Sequence, residues 1–221
     1  GFLIFTSASM GLLAKEGARF GLVAIKQMTV GIFLGGALLV FLANTNPKHI
    51  RRYCIYIYGT SKLLSLAVFV PGLGFEHGGA MRWLSLGGFS FQPGELLKLG
   101  FVIFFAAWLS ASKEHLQTIG KGLVPTIILL AVTSAIFYLQ RDSDSILILL
   151  AAILAMLFVS GGSMRHIGGL IFLGIAGVVG IIATRPYVKE RLITFFDLGK
   201  ADYLGVGYQV HQSLITIGSG G

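Results

Sequence analysis

Charge is what this 221-residue chain has least of. Asp, Glu, Lys and Arg make up 12% of it and hydrophobic residues 55%, with a mean hydropathy of +0.83. A soluble domain would carry about a quarter charged residues, so the composition excludes one and describes an integral membrane protein. Cysteine is almost absent too. Cys54 stands alone, which excludes a disulfide within the chain and a thiolate metal site. The histidines at 49, 77, 115, 166 and 211 lie far apart with no H-x-x-x-H spacing, so no zinc site is expected. The sequence has no G-x-x-x-x-G-K-[ST], no G-x-G-x-x-G after a strand and no G-x-S-x-G. An ATP-driven pump is therefore not expected. The net charge of +8 comes from basic residues scattered among apolar runs, with no stripe or tail. That pattern argues against nucleic acid and for anionic lipid headgroups or phosphates.

What the chain does have is long apolar runs. A bilayer core of about 30 Å takes roughly 20 apolar helical residues, and about seven segments approach that. They are residues 1–13, 20–43, 53–70, 96–109 (starting near Pro93), 124–139, 146–160 and 167–183. Lipid offers no partner for backbone N–H and C=O groups, so the spans must be helices and the fold an all-α polytopic transmembrane bundle. The short loops 44–52, 110–122 and 161–165 hold six Lys/Arg and one acid. The opposite segments 14–26, 72–98, 140–144 and 185–221 hold ten Lys/Arg and eight acids over a greater length. Basic density places the short loops in the cytoplasm. The chain reads as one membrane domain over 1–221, with 185–221 opening a large extracellular loop. It begins within an apolar run, with neither an initiator Met nor the basic start of a signal peptide, and so reads as a piece of a longer protein. Residues 208–217 have Val210, Leu214 and Ile217 on one helical face, as in a helix lying on a membrane surface. Gly31-x-x-x-Gly35 and Gly174-x-x-Gly177-x-x-Gly180 are spaced for close helix contact.

Charges at the edge of a hydrocarbon layer are costly, which singles out residues 80–99. Gln92-Pro-Gly-Glu95 reads as a helix start, with proline in the first turn, Glu95 on the positive helix end and Lys98 within pairing reach. With Arg82 from the preceding loop, the same residues read equally well as a grip for a pyrophosphate. Asp142, in Gln140-Arg-Asp-Ser-Asp-Ser145, is a good N-cap for the next span. Alternatively it faces a cavity with Arg82 and Lys98. Lys62, in the middle of the third span, is expected to turn inward and find an acid.

These residues together resemble the SEDS family (shape, elongation, division and sporulation), the group of RodA and FtsW. The resemblance lies in Ser7-Ala8-Ser9, Lys26-Gln27, Gly79-Ala-Met-Arg-Trp83, Gln92-Pro-Gly-Glu-Leu-Leu-Lys98, Gly207-Tyr-Gln209, Gln212-Ser-Leu214 and Ile217-Gly-Ser-Gly-Gly221, in that order. It implies a fold of roughly ten spans, each needing about 20 residues, in the bacterial cytoplasmic (inner) membrane. The implied activity is a peptidoglycan glycosyltransferase that polymerises lipid II beside a class B penicillin-binding protein. The tail leans slightly towards the FtsW branch.

The implied substrate groove comprises Arg82, Glu95, Lys98, Asp142 and Arg191, with Lys26, Gln209 and Gln212. No cofactor is expected within these residues beyond a divalent cation at the leaving group. The family's presumed catalytic Asp would lie beyond Gly221, so these residues alone are expected to be inactive. Departures are present: Gln140-Arg-Asp-Ser-Asp-Ser145 stands for the family's Q-P-D-L-G-T, Gly78 for its Asn, and Phe195-Phe-Asp-Leu198 for its F-x-D/N-P. Two other classes stand beside it: a lipid II flippase, which the same groove would serve, and a scaffold that activates the penicillin-binding protein through transmembrane contacts.

Overall fold

The computed structural model describes residues 27–77, 80–86, 89–185, 188–190 and 208–219. The first expected span, Lys26 and Arg191 lie outside them. The chain forms two compact units, Gly1–Tyr53 and Cys54–Gly221.

In the first unit a π-helical stretch, Gln27–Leu34, runs into helix α1 (Gly35–Ala43). Its C-terminal carbonyls are closed by side chains: Asn44 Nδ2 donates to Val40 O and Thr45 Oγ1 to Phe41 O. Helix α2 (Pro47–Ala67) follows directly, opened by Pro47 and by Asn46 Oδ1, which accepts from the Lys48 N–H.

Beyond α2 the chain makes a three-stranded antiparallel sheet, β1 (Gly74–His77), β2 (Ala80–Leu86) and β3 (Phe89–Phe91), in the order β1-β2-β3. Phe75 pairs with Trp83, their rings stacked at 6.4 Å, and Leu84 pairs with Phe91. This sheet was not anticipated. The signals are Gly78-Gly79 and Gly87-Gly88, one dipeptide between each pair of strands, with alternating A-M-R-W-L-S-L between them.

The remaining helices are α3 (Pro93–Ala111), α4 (Val124–Leu139), α5 (Ser143–Val159), α6 (Met164–Thr184) and α7 (Tyr208–Ser219). Among the described residues, Pro93–Ala111, Ile119–Leu139 and Met164–Thr184 are long and apolar enough to cross a membrane; Gly31–Ala43 and Ser143–Val159 are shorter. The polytopic all-α architecture stands, with these bounds in place of the expected ones. The α7 helix covers the expected amphipathic segment.

The core lies between α3 and α5. Leu97, Phe101, Phe105 and Leu109 recur every four residues on α3 and are almost wholly buried, and Leu149, Ile153 and Leu157 do the same on α5. Within a membrane there is no hydrophobic drive between helices, so close packing must hold them. One close approach falls at Gly100, where an added methyl carbon would lie 2.7 Å from Ser61 Oγ on α2. Gly174 similarly abuts Leu150. Among the described residues nothing packs beside Gly31, Gly35, Gly177 or Gly180, so within them only Gly174 of the two glycine series mediates helix contact.

Candidate functional site

The β2 strand, the start of α3 and the turn between α4 and α5 meet at one corner. Pro93 occupies the first turn of α3, with Gln92 as its N-cap residue and Glu95 in the first turn. Asp142 is the N-cap of α5, and its Oδ1 accepts from the Ser145 N–H at 3.4 Å. The capping reading of Asp142 is therefore correct, and the residue does more. Its Oδ2 accepts from Ser145 Oγ at 2.7 Å and from Gln92 Nε2 at 3.5 Å. The N-cap residues of two helices are thus bonded to each other, and two positive helix ends converge beside one buried carboxylate.

Arg82 reaches this carboxylate from β2. Its Nη1 lies 3.7 Å from Asp142 Oδ1, and its Nη2 donates to the Arg141 carbonyl at 2.8 Å. Among the described residues Arg82 Nε is buried without a partner. The two side chains differ in access: Arg82 is 29% exposed and Asp142 4%. A guanidinium has five N–H donors, and the described contacts engage only one on each Nη, so donors remain for an anion while the head is held in place.

Glu95 and Lys98 form a separate pair. Lys98 Nζ donates to Glu95 Oε1 at 2.8 Å across three residues of α3, and Glu95 is 59% exposed. Among the described residues neither joins the Arg82–Asp142 contact, so the expected single cluster is resolved into two adjacent pairs. Lys62 is also placed differently. The observed α2 ends at Ala67, so Lys62 sits five residues, about 7.5 Å at the helical rise, from the helix end. That is within snorkelling range. Its ammonium lies 5.1 Å from the centre of the Tyr58 ring, and among the described residues no carboxylate pairs with it.

Gln212 lies exposed on α7, and Gln209 belongs to the same helix. No described contact brings Gln212 to the corner. A divalent cation would need acidic oxygens free to coordinate. Among the described residues no three His, Cys, Asp or Glu side chains gather, and both Asp142 oxygens already accept hydrogen bonds. The described residues therefore do not by themselves make up such a site.

Sequence reasoning missed Gln140. It is wholly buried, and its Nε2 donates to the Ser65 carbonyl of α2 at 2.8 Å. The available signal was an amide in an apolar run directly before a charged turn.

Comparison with known proteins bears on this corner. The family model for cell cycle proteins of the FtsW/RodA/SpoVE group matches residues 1–221. The chain is 36% identical over 231 residues to a probable peptidoglycan glycosyltransferase FtsW of Dichelobacter nodosus, covering 100% of this chain and 55% of that protein. It is 28% identical to the protein of the same name in Geobacter sp. (strain M18), covering 100% of this chain and 60% of that one. The chain thus spans little more than half the length of these relatives. A solved structure described as the coordination of polymerization and crosslinking by a peptidoglycan synthase complex contains a chain 28% identical to this one. The two superpose with a TM-score of 0.70, over 98% of this chain and 64% of that one.

Proposed function

The chain belongs to the FtsW/RodA/SpoVE family of cell cycle proteins, and we propose that its full-length protein polymerises lipid II into glycan strands at the bacterial inner membrane. In that reaction the C4 hydroxyl of one lipid II sugar attacks the anomeric carbon of the other chain. The new C–O bond forms as the bond to the lipid pyrophosphate breaks, and the hydroxyl proton passes to a base. The leaving group is a dianion or more at a membrane edge, so it requires fixed positive charge that needs no rearrangement as charge develops.

The observation that carries the reading is the Arg82 corner. One edge of the guanidinium is fixed by the Arg141 carbonyl and Asp142, and two helix N-termini converge there. Such termini favour phosphate. Arg82 is assigned to the pyrophosphate, with Lys98 as a second cation on α3. Asp142 orients Arg82, and Glu95 tethers Lys98. Asp142 is not assigned as the general base: Ser145, Gln92 and Arg82 already occupy its oxygens. Arg191, Lys26, Gln209 and Gln212 keep their substrate-groove assignment on the family resemblance alone. A class B penicillin-binding protein is the assigned partner.

The test is the full-length protein in liposomes with lipid II and that partner. Glycan polymer made by the parent and lost in Arg82→Ala supports the reading. Lipid II crossing the bilayer without polymer would make the protein a transporter. Crosslinking stimulated equally by the parent and by Arg82→Ala, with polymer from neither, would make it a scaffold.

A further inference from the structure

The turn that presents Asp142 is conformationally unusual. Helix α4 ends in a Schellman arrangement, with the Asp142 N–H on Phe137 O at 2.8 Å and the Arg141 N–H on Tyr138 O at 3.1 Å. That arrangement needs a left-handed residue, usually glycine, and here Arg141 fills it at φ 57°. Non-glycine residues persist in that region only where the surroundings over-determine them.

The surroundings are supplied by α2. Two polar rungs join α2 to α4: Tyr58 OH with Thr133 Oγ1 at 2.6 Å, and Gln140 Nε2 to Ser65 O at 2.8 Å. They fall seven residues apart on both helices, so the helices run in the same direction. The outer rung lies directly before the turn. Among the described residues it also leaves Gln140 Oε1 and Ser65 Oγ buried without partners, so the amide is far from ideally satisfied. A methionine of similar length would remove the unpaired Oε1 but take the Gln140 donor from the Ser65 carbonyl. What it would lose is the single directed bond to α2.

We infer that Gln140 is a positioning residue for Arg82: its bond to Ser65 O fixes the turn whose Arg141 carbonyl and Asp142 carboxylate hold the guanidinium. This rests on the assignment of Arg82 to the substrate pyrophosphate, and it gives the two rungs different consequences. The outer one sets substrate affinity. The inner one only joins helices.

The experiment compares Gln140→Met with Tyr58→Phe in the full-length protein, reconstituted with its partner and titrated with lipid II. Gln140→Met should raise KM for lipid II about fivefold or more with little change in kcat, the pattern of lost binding shared by ground and transition states. Tyr58→Phe should lower the thermal midpoint at least as much while leaving KM within about twofold. An unchanged KM in Gln140→Met would overturn the inference, as would an equal rise in Tyr58→Phe.

Spectra of 15N-arginine-labelled protein, with Arg82 assigned through Arg82→Lys, read the geometry without any activity. The held guanidinium should show protected Nη protons in the parent and Tyr58→Phe that average out in Gln140→Met. Identical spectra overturn the inference. If the parent makes no polymer, the functional reading fails and these spectra still decide the role of Gln140. Should Gln140→Met not accumulate, Gln140→Asn keeps the amide one methylene short of Ser65 and carries the same two readouts.

Discussion

Two ion pairs stand at the same end of this molecule and are built in opposite ways. Glu95 and Lys98 are three residues apart on one helix, bonded at 2.8 Å, with the carboxylate on the surface. Arg82 and Asp142 are 3.7 Å apart, joined across 60 residues of sequence, with the carboxylate buried. The shorter contact is the weaker device. An exposed pair gains little Coulomb energy in water and loses side-chain freedom, for a net of about 0.3–0.5 kcal/mol. The longer contact has extra holds on both partners: the Arg141 carbonyl on one, Ser145 and Gln92 on the other. Distance alone would rank them wrongly; burial and the number of independent restraints rank them correctly.

Breaking the buried pair should have the largest effect. Arg82→Ala is expected to abolish polymer synthesis by the full-length protein while leaving its amount in the membrane unchanged, because Asp142 keeps Ser145 and Gln92. Quantifying membrane protein beside lipid II polymerisation checks both halves. A variant that fails to accumulate would make Arg82 a folding anchor instead.

Asp142 separates charge from capping. Asp142→Ala removes both and should cost stability of about 1 kcal/mol through the lost N-cap, along with most activity. Asp142→Asn keeps an acceptor for the Ser145 N–H, so its thermal midpoint should lie close to the parent's while its activity falls nearly as far. Equal activity in Asp142→Asn and the parent would show that only the cap matters, and the comparison of the two ion pairs would lose its basis.

Gly100 probes the frame under the corner. Gly100→Leu forces a side chain against Ser61 Oγ and the Ile57 carbonyl of α2, an overpacking that costs about 1–3 kcal/mol. Thermal unfolding in detergent should show that loss. An unshifted midpoint would mean that α2 and α3 separate without penalty.

What could be read in the sequence follows the reach of each interaction. The helices were legible because apolar runs and lipid leave no other backbone solution. The start of α3 at Pro93 and the Glu95–Lys98 pair were legible because both are local. The cap at Asp142 was legible as one of several candidate caps. Its contact with Arg82 was only an alternative, since nothing in either segment encodes a contact 60 residues away. Gln140 was missed for the same reason: its partner is a backbone carbonyl, which carries no side-chain signature. Lys62 reads as central in the apolar run 53–70, whereas the observed α2 is set further towards the N-terminus and ends at Ala67, five residues beyond it. Gly100 drew no attention because it lacks a neighbouring small residue at helical spacing, while the two glycine series that have one mostly face open space among the described residues.

The smallest expected effect belongs to the exposed pair, and it sharpens the comparison most. Glu95→Gln removes the bond to Lys98 and one negative charge from the first turn of α3. The lost pair and the lost helix-end interaction together should lower stability by less than about 1 kcal/mol. Lys98 stays on the same helix, 19% exposed, so its charge remains near the corner without the tether. KM for lipid II should then stay within about twofold of the parent's, since α3 itself, more than Glu95, places that charge. Titrating lipid II against Glu95→Gln and the parent under one salt condition measures this directly. A tenfold rise in KM would mean that the surface pair fixes substrate as firmly as the buried one, and that burial is the wrong criterion for telling them apart.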